Sequence, residues 1–330
     1  MTGVHVPVAS VRRNGGLIAV FALGVLAAAA LDPYWLGIAT QGLVFALFAA
    51  GLDVLVGWCG LASLGHAAFF GTSGYVLAVL TTRWGLDPWL AAGLGIVFAT
   101  ALAAAFAPLA VRVSGLTFLT VMLAAGQIVW GVALKWRSVT GGSDGIPGVP
   151  RPTQVLGLSF VDTRTFFVLT LVVVVLVVAL VWRLMEGPLG LQLRGVRQSD
   201  LRLRSLGYDV RGLRMVAFVV SAFVASVAGI LAAFFNQFVG TNSVDWRLSA
   251  QMLLAVVIGG PGSLWGPFVA GFGLFLLQVF ATNMTDRWTL ILGLLYILAV
   301  LVIPRGLWPL VRRAVNGVRP GRVRASRGAA

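Results

Sequence analysis

Residues 166–182 read FFVLTLVVVVLVVALVW, and residues 186–214 read EGPLGLQLRGVRQSDLRLRSLGYDVRGLR. The first stretch is entirely apolar apart from one threonine, and its length approaches the roughly 20 residues that cross the hydrocarbon core of a bilayer. The second stretch is polar and basic and opens with a Gly-Pro pair, so it does not continue the span. This alternation predicts a chain that crosses a membrane and carries a basic segment between two crossings.

The composition extends this prediction to the whole chain. Of its 330 residues, 59% are hydrophobic and only 10% are charged, which is more apolar surface than one soluble core buries. The single cysteine, Cys59, and the two histidines, His5 and His66, exclude a disulfide framework and a Cys/His metal cluster within the chain. We expect an all-α polytopic membrane protein, with residues 1–330 in one transmembrane domain that holds no metal and no cofactor.

Apolar stretches bounded by polar residues, Pro or Gly predict the helices. The region 248–282 is too long for one ordinary helix and is interrupted by the sequence GGPG at residues 259–262, so we divide it into two crossings. This gives about ten helices, with eight as the lower alternative. The first one also resembles a signal peptide, and the sequence leaves its cleavage open. The predicted helices cover residues 17–31, 35–57, 62–83, 89–111, 114–136, 164–182, 215–236, 248–260, 264–282 and 288–303.

Basic residues predict the orientation. Arginines concentrate in the segments 1–16, 183–214 and 304–330, and basic loops remain on the cytoplasmic side of a membrane. Ten crossings place all three segments there, so we expect a bacterial inner-membrane protein with cytoplasmic termini. The net charge of +14 does not indicate nucleic-acid binding, because the arginines lie between apolar spans and face the bilayer surface.

The segment 183–214 is predicted to contain a short amphipathic helix at the membrane surface, because leucines and valines are interspersed with its arginines. Such a helix offers apolar and basic positions to a partner protein. The alternative is that it rests on anionic lipid headgroups.

The interruption at residues 259–262 makes Gly259, Gly260 and Ser263 candidates for a translocation pathway or gate. Interrupted helices in transporters line cavities, where their freed backbone groups contact substrate or form a gate. A tight Gly-Pro turn without contact to substrate is the alternative.

Asp53 and the segment containing Ser63, Gly65 and His66 are further pathway candidates. Asp53 lies about one turn from the end of its predicted span, so three roles are open: its carboxylate reaches water, pairs with Arg112, or lines the pathway. His66 either packs between helices or faces the pathway.

Residues 137–163 form a long connection predicted outside the membrane, and it contains Gly141, Gly142 and Asp144. Long ordered loops often carry a function. This loop is interpreted as a docking surface for an external binding protein or as a lid, with a plain linker as the alternative.

Three blocks of sequence together resemble a known family. They are GLDVLVG at 51–57 with LASLGHAAFFG at 61–71; TGGSDG at 140–145; and RQSDLRLRSLGYD at 197–209 with FVVSAFVASVAG at 218–229 and GGPGSLWGP at 259–267. In this order they resemble the permeases of branched-chain amino-acid ABC importers, specifically the M-type subunit, over residues 35–303. Permeases for urea and short amides are similar at the same blocks.

The resemblance implies partners and a coupling role for part of the chain. It implies a homologous permease subunit, in a heterodimer or a homodimer, an extracytoplasmic solute-binding protein, and two ATPase subunits that hold the ATP and magnesium. Residues 183–214 would be the coupling loop that docks in the ATPase. Two departures stand out: the acidic position is followed by Leu201-Arg202-Leu203, in which an arginine and a leucine replace the small alanines of the family, and Asp53 replaces a frequent asparagine. The coupling residues that the resemblance implies are Arg197, Asp200, Arg202, Arg204 and Gly207.

Two other classes of protein are less consistent with the sequence. A secondary transporter acting alone would need intramembrane acids for ion coupling, and the spans contain few ionisable residues. An enzyme embedded in the membrane would need a nucleophile with a base, or a set of metal ligands. The sequence therefore predicts a transport subunit without catalysis of its own.

Overall fold

A computed structural model describes residues 15–152 and 160–284, together with positions 290, 293 and 294. Over these residues the fold is a helical bundle with one two-stranded antiparallel sheet, in which β1 (Ile146–Pro147) pairs with β2 (Phe238–Val239). The helices are α1 (Gly15–Ala30), α2 (Pro33–Asp53), α3 (Ala67–Thr82), α4 (Pro88–Ala110), α5 (Leu116–Lys135), α6 (Arg137–Thr140), α7 (Thr163–Glu186), α8 (Pro188–Gln198), α9 (Asp200–Ser205), α10 (Val210–Asn236), α11 (Trp246–Gly259) and α12 (Trp265–Met284).

Six of the described helices are long and apolar enough to cross a membrane, and shorter apolar helices lie in α1, α3 and α11. The prediction of an all-helical polytopic membrane protein is confirmed. Apart from positions 290, 293 and 294, the predicted span 288–303 lies outside the described residues, as do the tail 304–330 and nearly all of the segment 1–16. The six long stretches are Pro33–Cys59, Pro88–Ala110, Leu116–Lys135, Thr163–Glu186, Val210–Asn236 and Trp265–Thr282.

Helix α10 packs against α2, α3 and α4 in the centre of the bundle. Serine hydroxyl groups join α10 to its neighbours: Ser221 Oγ of α10 donates to the Gly51 carbonyl of α2 at 2.7 Å, and Ser73 Oγ of α3 donates to the Ser226 carbonyl of α10 at 2.8 Å. In lipid, helices associate through close packing and such hydrogen bonds, because burying apolar surface gains little there. Small residues along α10 allow this approach.

Five of the longer helices begin directly after an aspartate, and in four of them its carboxylate caps the helix. Each of these carboxylates accepts a hydrogen bond from a backbone N–H group in the first turn of its helix, which satisfies a donor that has no partner within the helix. Four of the ten acidic residues of the sequence thus cap helices. They are Asp87 before α4, Asp162 before α7, Asp209 before α10 and Asp245 before α11.

The predicted helix 62–83 is wrong at its start. Helix α2 passes into a π-helix at Val54–Cys59, and residues 60–66 are not helical, so α3 begins only at Ala67. Gly60 reverses the chain with a φ of +80°. Gly65 then lies so close to α5 that a Cβ there would collide with the carbonyl oxygen of Met122.

Two loops also differ from the prediction. The segment 183–214 forms two short helices, α8 and α9, where one was expected, because Ser199 is extended between them and its hydroxyl caps α9. Helix α7 continues to Glu186 and α10 begins at Val210, which shortens the connection at both ends. The external connection contributes strand β1, which the sequence did not predict.

Substitution of Gly229 on α10 tests the close packing of α10 against α3. A Cβ at this position would collide with the Phe70 carbonyl, whereas one at Gly93 on α4 would meet nothing within 4 Å. We expect Gly229→Ala to destabilise the fold by about 1–3 kcal/mol, as overpacking does, and Gly93→Ala to leave it unchanged or slightly more stable. Thermal unfolding in detergent measures both, and equal midpoints for the two variants would contradict the packing.

Candidate gate and coupling site

The carboxylate of Asp53 connects two places where the regular α-helices are interrupted. These two breaks are the π-helix that follows α2 and the turn between α11 and α12. The carboxylate is fully buried at the end of α2, where Oδ1 accepts the Gly262 N–H at 2.7 Å and Oδ2 accepts the Leu264 N–H at 2.9 Å. These donors belong to the turn between α11 and α12, next to the N-terminus of α12, where the helix dipole favours negative charge. The acid therefore satisfies backbone groups that the broken helix leaves without partners.

This arrangement rules out two of the three roles that the sequence left open for Asp53. Its carboxylate does not reach water, because the residue has no exposed surface. Arg112 is exposed, and no ion pair joins it to Asp53 in the part of the chain that the structure describes. The third role, in a pathway or gate, stays a prediction.

The turn that Asp53 binds is compact and strained. Gly260 and Gly262 have φ values of 98° and 90°, and Leu264 has a φ of 57°, which is uncommon for a residue with a side chain. Ser263 Oγ donates to the Gly260 carbonyl at 2.8 Å and accepts the Gly266 N–H at 3.1 Å. Gly259 lies against the backbone of residues 266–267. Non-glycine residues in such conformations cluster at switch regions.

Arg197 connects the segment 183–214, here called the coupling loop, to the π-helix and to the turn between α11 and α12. From α8, its guanidinium donates to the Gly57 carbonyl in the π-helix, and the same group lies 3.2 Å from where a Gly262 Cβ would be. A Cβ at Gly57 would collide with Asp53 Oδ1 and with the Gly262 backbone. We call Asp53, Gly57, Arg197 and Gly262 the break cluster.

Two further contacts hold the coupling loop against the bundle. The guanidinium of Arg194 lies 4.0 Å from the centre of the Trp58 ring, a distance typical of a cation–π interaction. Asp200 forms an ion pair with Arg214 of α10. Asp200 was predicted as a coupling residue, and the structure shows that its carboxylate binds within this chain.

The outer surface of the coupling loop combines apolar and basic side chains. Arg202, Arg204 and Gly207 are exposed, and Gly207 turns the chain after α9 with a φ of 83°. Large exposed leucines lie among them, and such a patch is typical of a surface that interacts with a protein or with a membrane. These leucines are Leu191, Leu201 and Leu206.

The pathway candidates Ser63, Gly65 and His66 lie together in the non-helical segment before α3. His66 Nδ1 is 2.7 Å from Ser63 Oγ, and the imidazole ring is fully buried. The ring packs edge-on against Phe69 and Phe218, with centroids 5.6 and 5.5 Å away. These contacts favour the packing interpretation of His66.

The external loop candidates lie at the other end of α10. Gly141 and Gly142 have positive φ values and Asp144 is exposed. Arg151 donates to the Phe235 carbonyl at 3.0 Å and to two other carbonyls, and its guanidinium lies over the Phe166 ring. These contacts and the β1–β2 pairing fasten the loop to α7 and α10, which argues against a plain linker.

A cavity that the sequence did not predict lies beside this loop. It has a volume of about 180 Å³ and is lined by residues of α2, α3, α10 and β2, by Asn242 and Ser243 after β2, and by one residue of α11. Gln41 Nε2 donates to Asn236 Oδ1 at 2.6 Å, which bridges α2 and α10 at the cavity wall. The sequence indicates this cavity only through two amide side chains, Gln41 and Asn236, which lie within or at the end of predicted spans.

These observations describe a membrane permease: apolar helices broken at a buried polar cluster, with an arginine-rich loop bound to the breaks. A family model described as the permease component of the branched-chain amino acid transport system matches residues 34–301. The chain belongs to this family.

Curated relatives support the assignment. The high-affinity branched-chain amino acid transport system permease protein LivM of Escherichia coli (strain K12) is 29% identical over 338 residues, covering 94% of this chain and 79% of the relative. LivM of Salmonella typhimurium is 32% identical over 299 residues, covering 83% and 70%. LivH of Escherichia coli (strain K12) is 25% identical over 289 residues, covering 81% and 92%. No solved structure matches the chain.

The M-type resemblance is therefore confirmed, and the chain is a permease subunit of an ABC importer. Such a subunit works with other subunits in the membrane and is not itself an enzyme.

Substitutions of Asp53 test its contacts with the broken turn. Asp53→Ala leaves two buried N–H groups without acceptors, at a cost of about 1–3 kcal/mol each. Asp53→Asn keeps one acceptor oxygen, so we expect thermal stability in the order wild type, asparagine, alanine. Asp87→Asn is the control, because asparagine caps a helix as well as aspartate does. Wild-type stability of Asp53→Ala would contradict the role assigned to the carboxylate.

Proposed function

We propose that this chain translocates a branched-chain amino acid across the bacterial inner membrane, paired with a homologous permease and driven by two ATPase subunits. An extracytoplasmic solute-binding protein delivers the substrate. The observation that carries the proposal is the position of Arg197, because this side chain of the coupling loop donates a hydrogen bond to the π-helix and lies close to the turn between α11 and α12. The relatives are named for branched-chain amino acid transport, which supports this substrate class.

The break cluster supplies a mechanical route from the ATPases to the spans. Closure of the ATPases on ATP displaces α8 and α9, and Arg197 transmits the displacement to the π-helix at Val54–Cys59 and the turn at 260–264. Both segments are already broken, so they move at a lower cost than a continuous helix. One side of the pathway then closes as the other opens.

We propose ten crossings with both termini cytoplasmic. The six long helices and the three shorter apolar ones give nine, and the apolar stretch 288–303 supplies the tenth. The described arrangement supports one part of this topology, because the coupling loop and the external loop lie at opposite ends of α7 and α10. The positive-inside rule places the arginine-rich end in the cytoplasm.

Charge reversal on the coupling loop tests the docking of the ATPase. Arg202 and Arg204 are exposed and form no part of the break cluster, so the double variant Arg202→Glu and Arg204→Glu should fold normally. We expect it to lose most of the ATPase subunit that co-purifies with the tagged wild-type chain in mild detergent, because like charges across an interface repel. Identification of the co-purified proteins by mass spectrometry provides the measurement.

Arg164→Glu is the matched control, because Arg164 is exposed at the opposite end of α7. It should retain the ATPase. Recovery of no ATPase with the wild-type chain would contradict the importer assignment. Full recovery of the ATPase with the double variant would show that Arg202 and Arg204 are not part of the interface.

Arg197→Met separates docking from coupling. Methionine preserves much of the aliphatic stem but donates no hydrogen bond to the Gly57 carbonyl. We expect the ATPase to co-purify as before, while uptake per ATP hydrolysed in proteoliposomes falls about tenfold, which corresponds to about 1.4 kcal/mol. Arg211→Met, at an exposed position, is the control. Unchanged uptake per ATP in Arg197→Met would refute the mechanical role of the break cluster.

A further inference from the structure

The cavity between α2, α3 and α10 has two chemically distinct parts. Val44, Phe70 and Ala232 form an apolar floor, and Gln41 and Asn236 form an amide bridge at the mouth. Asn242 and Ser243 also line it. An apolar recess with a few polar groups is the usual form of a small-molecule site.

The polar groups of the mouth are uncharged, and they retain hydrogen-bonding capacity. The bridge uses one donor of Gln41 and the acceptor oxygen of Asn236, which leaves an acceptor on Gln41 and donors on Asn236. The cavity-lining side chains include no Lys, Arg, Asp or Glu. A ligand with net charge would be buried here without a counter-ion, which is costly. The opposite charges of a zwitterion lie within one molecule and partly offset each other, and its ammonium and carboxylate groups can each bond an amide of the mouth.

The volume limits the size of the ligand. About 180 Å³ is well below the roughly 300–1,000 Å³ of pockets for drug-sized molecules. It suits one small solute with a short aliphatic part.

The position of the cavity connects it with both ends of the protein. Phe238 and Val239 of β2 line it, and β2 pairs with β1 of the external loop. Gln41 and Asp53 lie on the same helix, twelve residues apart, which is about 18 Å along the axis. A solute in the cavity therefore contacts the helix that ends in the break cluster.

We propose that this cavity, inside a single permease chain, is a binding site for an aliphatic amino acid in its zwitterionic form. The apolar floor accepts the side chain, and the amide mouth binds the ammonium and carboxylate groups. The site receives the solute at the external loop and holds it before the pathway opens. This inference rests on the proposed function, since it names a substrate site for that transport.

Direct binding of radiolabelled L-leucine to the purified complex, without binding protein, tests the site. The double variant Gln41→Leu and Asn236→Leu keeps similar side-chain sizes but removes both amides. We expect its affinity for leucine to fall at least about tenfold, because two hydrogen bonds to the ligand are lost. Gln278→Leu, a half-buried glutamine on α12 outside this cavity, is the control and should bind as the wild type does.

The variant Ala232→Leu tests the apolar floor of the cavity, because the larger side chain occupies space there. We expect this variant to lose affinity for leucine by a larger factor than for glycine, because glycine has no side chain to place there. Acetamide, a neutral short amide, should compete poorly with leucine. Saturable leucine binding that depends on the two amides and is reduced by Ala232→Leu supports the site.

Three results would overturn this proposal: no saturable leucine binding by the wild-type complex, wild-type affinity in the Gln41→Leu and Asn236→Leu double variant, or acetamide competing as well as leucine. Each leaves the importer assignment intact if the ATPase still co-purifies. The importer assignment is tested separately, and it fails if no ATPase co-purifies with the wild-type chain. If the Ala232→Leu variant does not fold, the amide variant alone decides.

Discussion

The carboxylate of Asp53 accepts hydrogen bonds from the backbone N–H groups of Gly262 and Leu264, and the broken end of the bundle depends on this interaction. A helix interrupted within a membrane protein exposes backbone groups that lipid cannot satisfy, each at a cost of several kcal/mol. A buried carboxylate with two oxygens is a compact solution. It also explains why an acid is present near the end of an apolar span: the acid replaces the hydrogen bonds that α11 and α12 give up at their junction.

The partners of Asp53 could not be predicted from the sequence, because they lie 209 and 211 residues away along the chain. Sequence reasoning considered water and an arginine near the same membrane face, both of which follow from position within a span. It did identify the interruption at residues 259–262 and the basic segment 183–214, since glycine, proline and arginine are strong local signals. The link between these two features, Arg197, becomes visible only when the chain is folded.

The remaining errors have a common physical origin in packing. Residues 62–66 have a composition compatible with a membrane helix, yet a Cβ at Gly65 would collide with the Met122 carbonyl and the chain becomes helical only at Ala67. The pairing of β1 with β2 joins segments about 90 residues apart and involves two residues on each strand. Neither contact leaves a periodic pattern. The long spans were predicted correctly because lipid requires uninterrupted apolar length.

The π-helix at Val54–Cys59 contains a surplus residue in its turns compared with an α-helix. If it were to regain α-helical hydrogen bonding, the residues beyond it would advance by about 1.5 Å and rotate by about 100°, the screw step of a single residue. Gly57 lies within this segment, and its carbonyl is held by Arg197. Release of that one acceptor would free the carbonyl to change partners, so a small displacement of α8 would produce one discrete step in the membrane-spanning helix rather than a gradual shift.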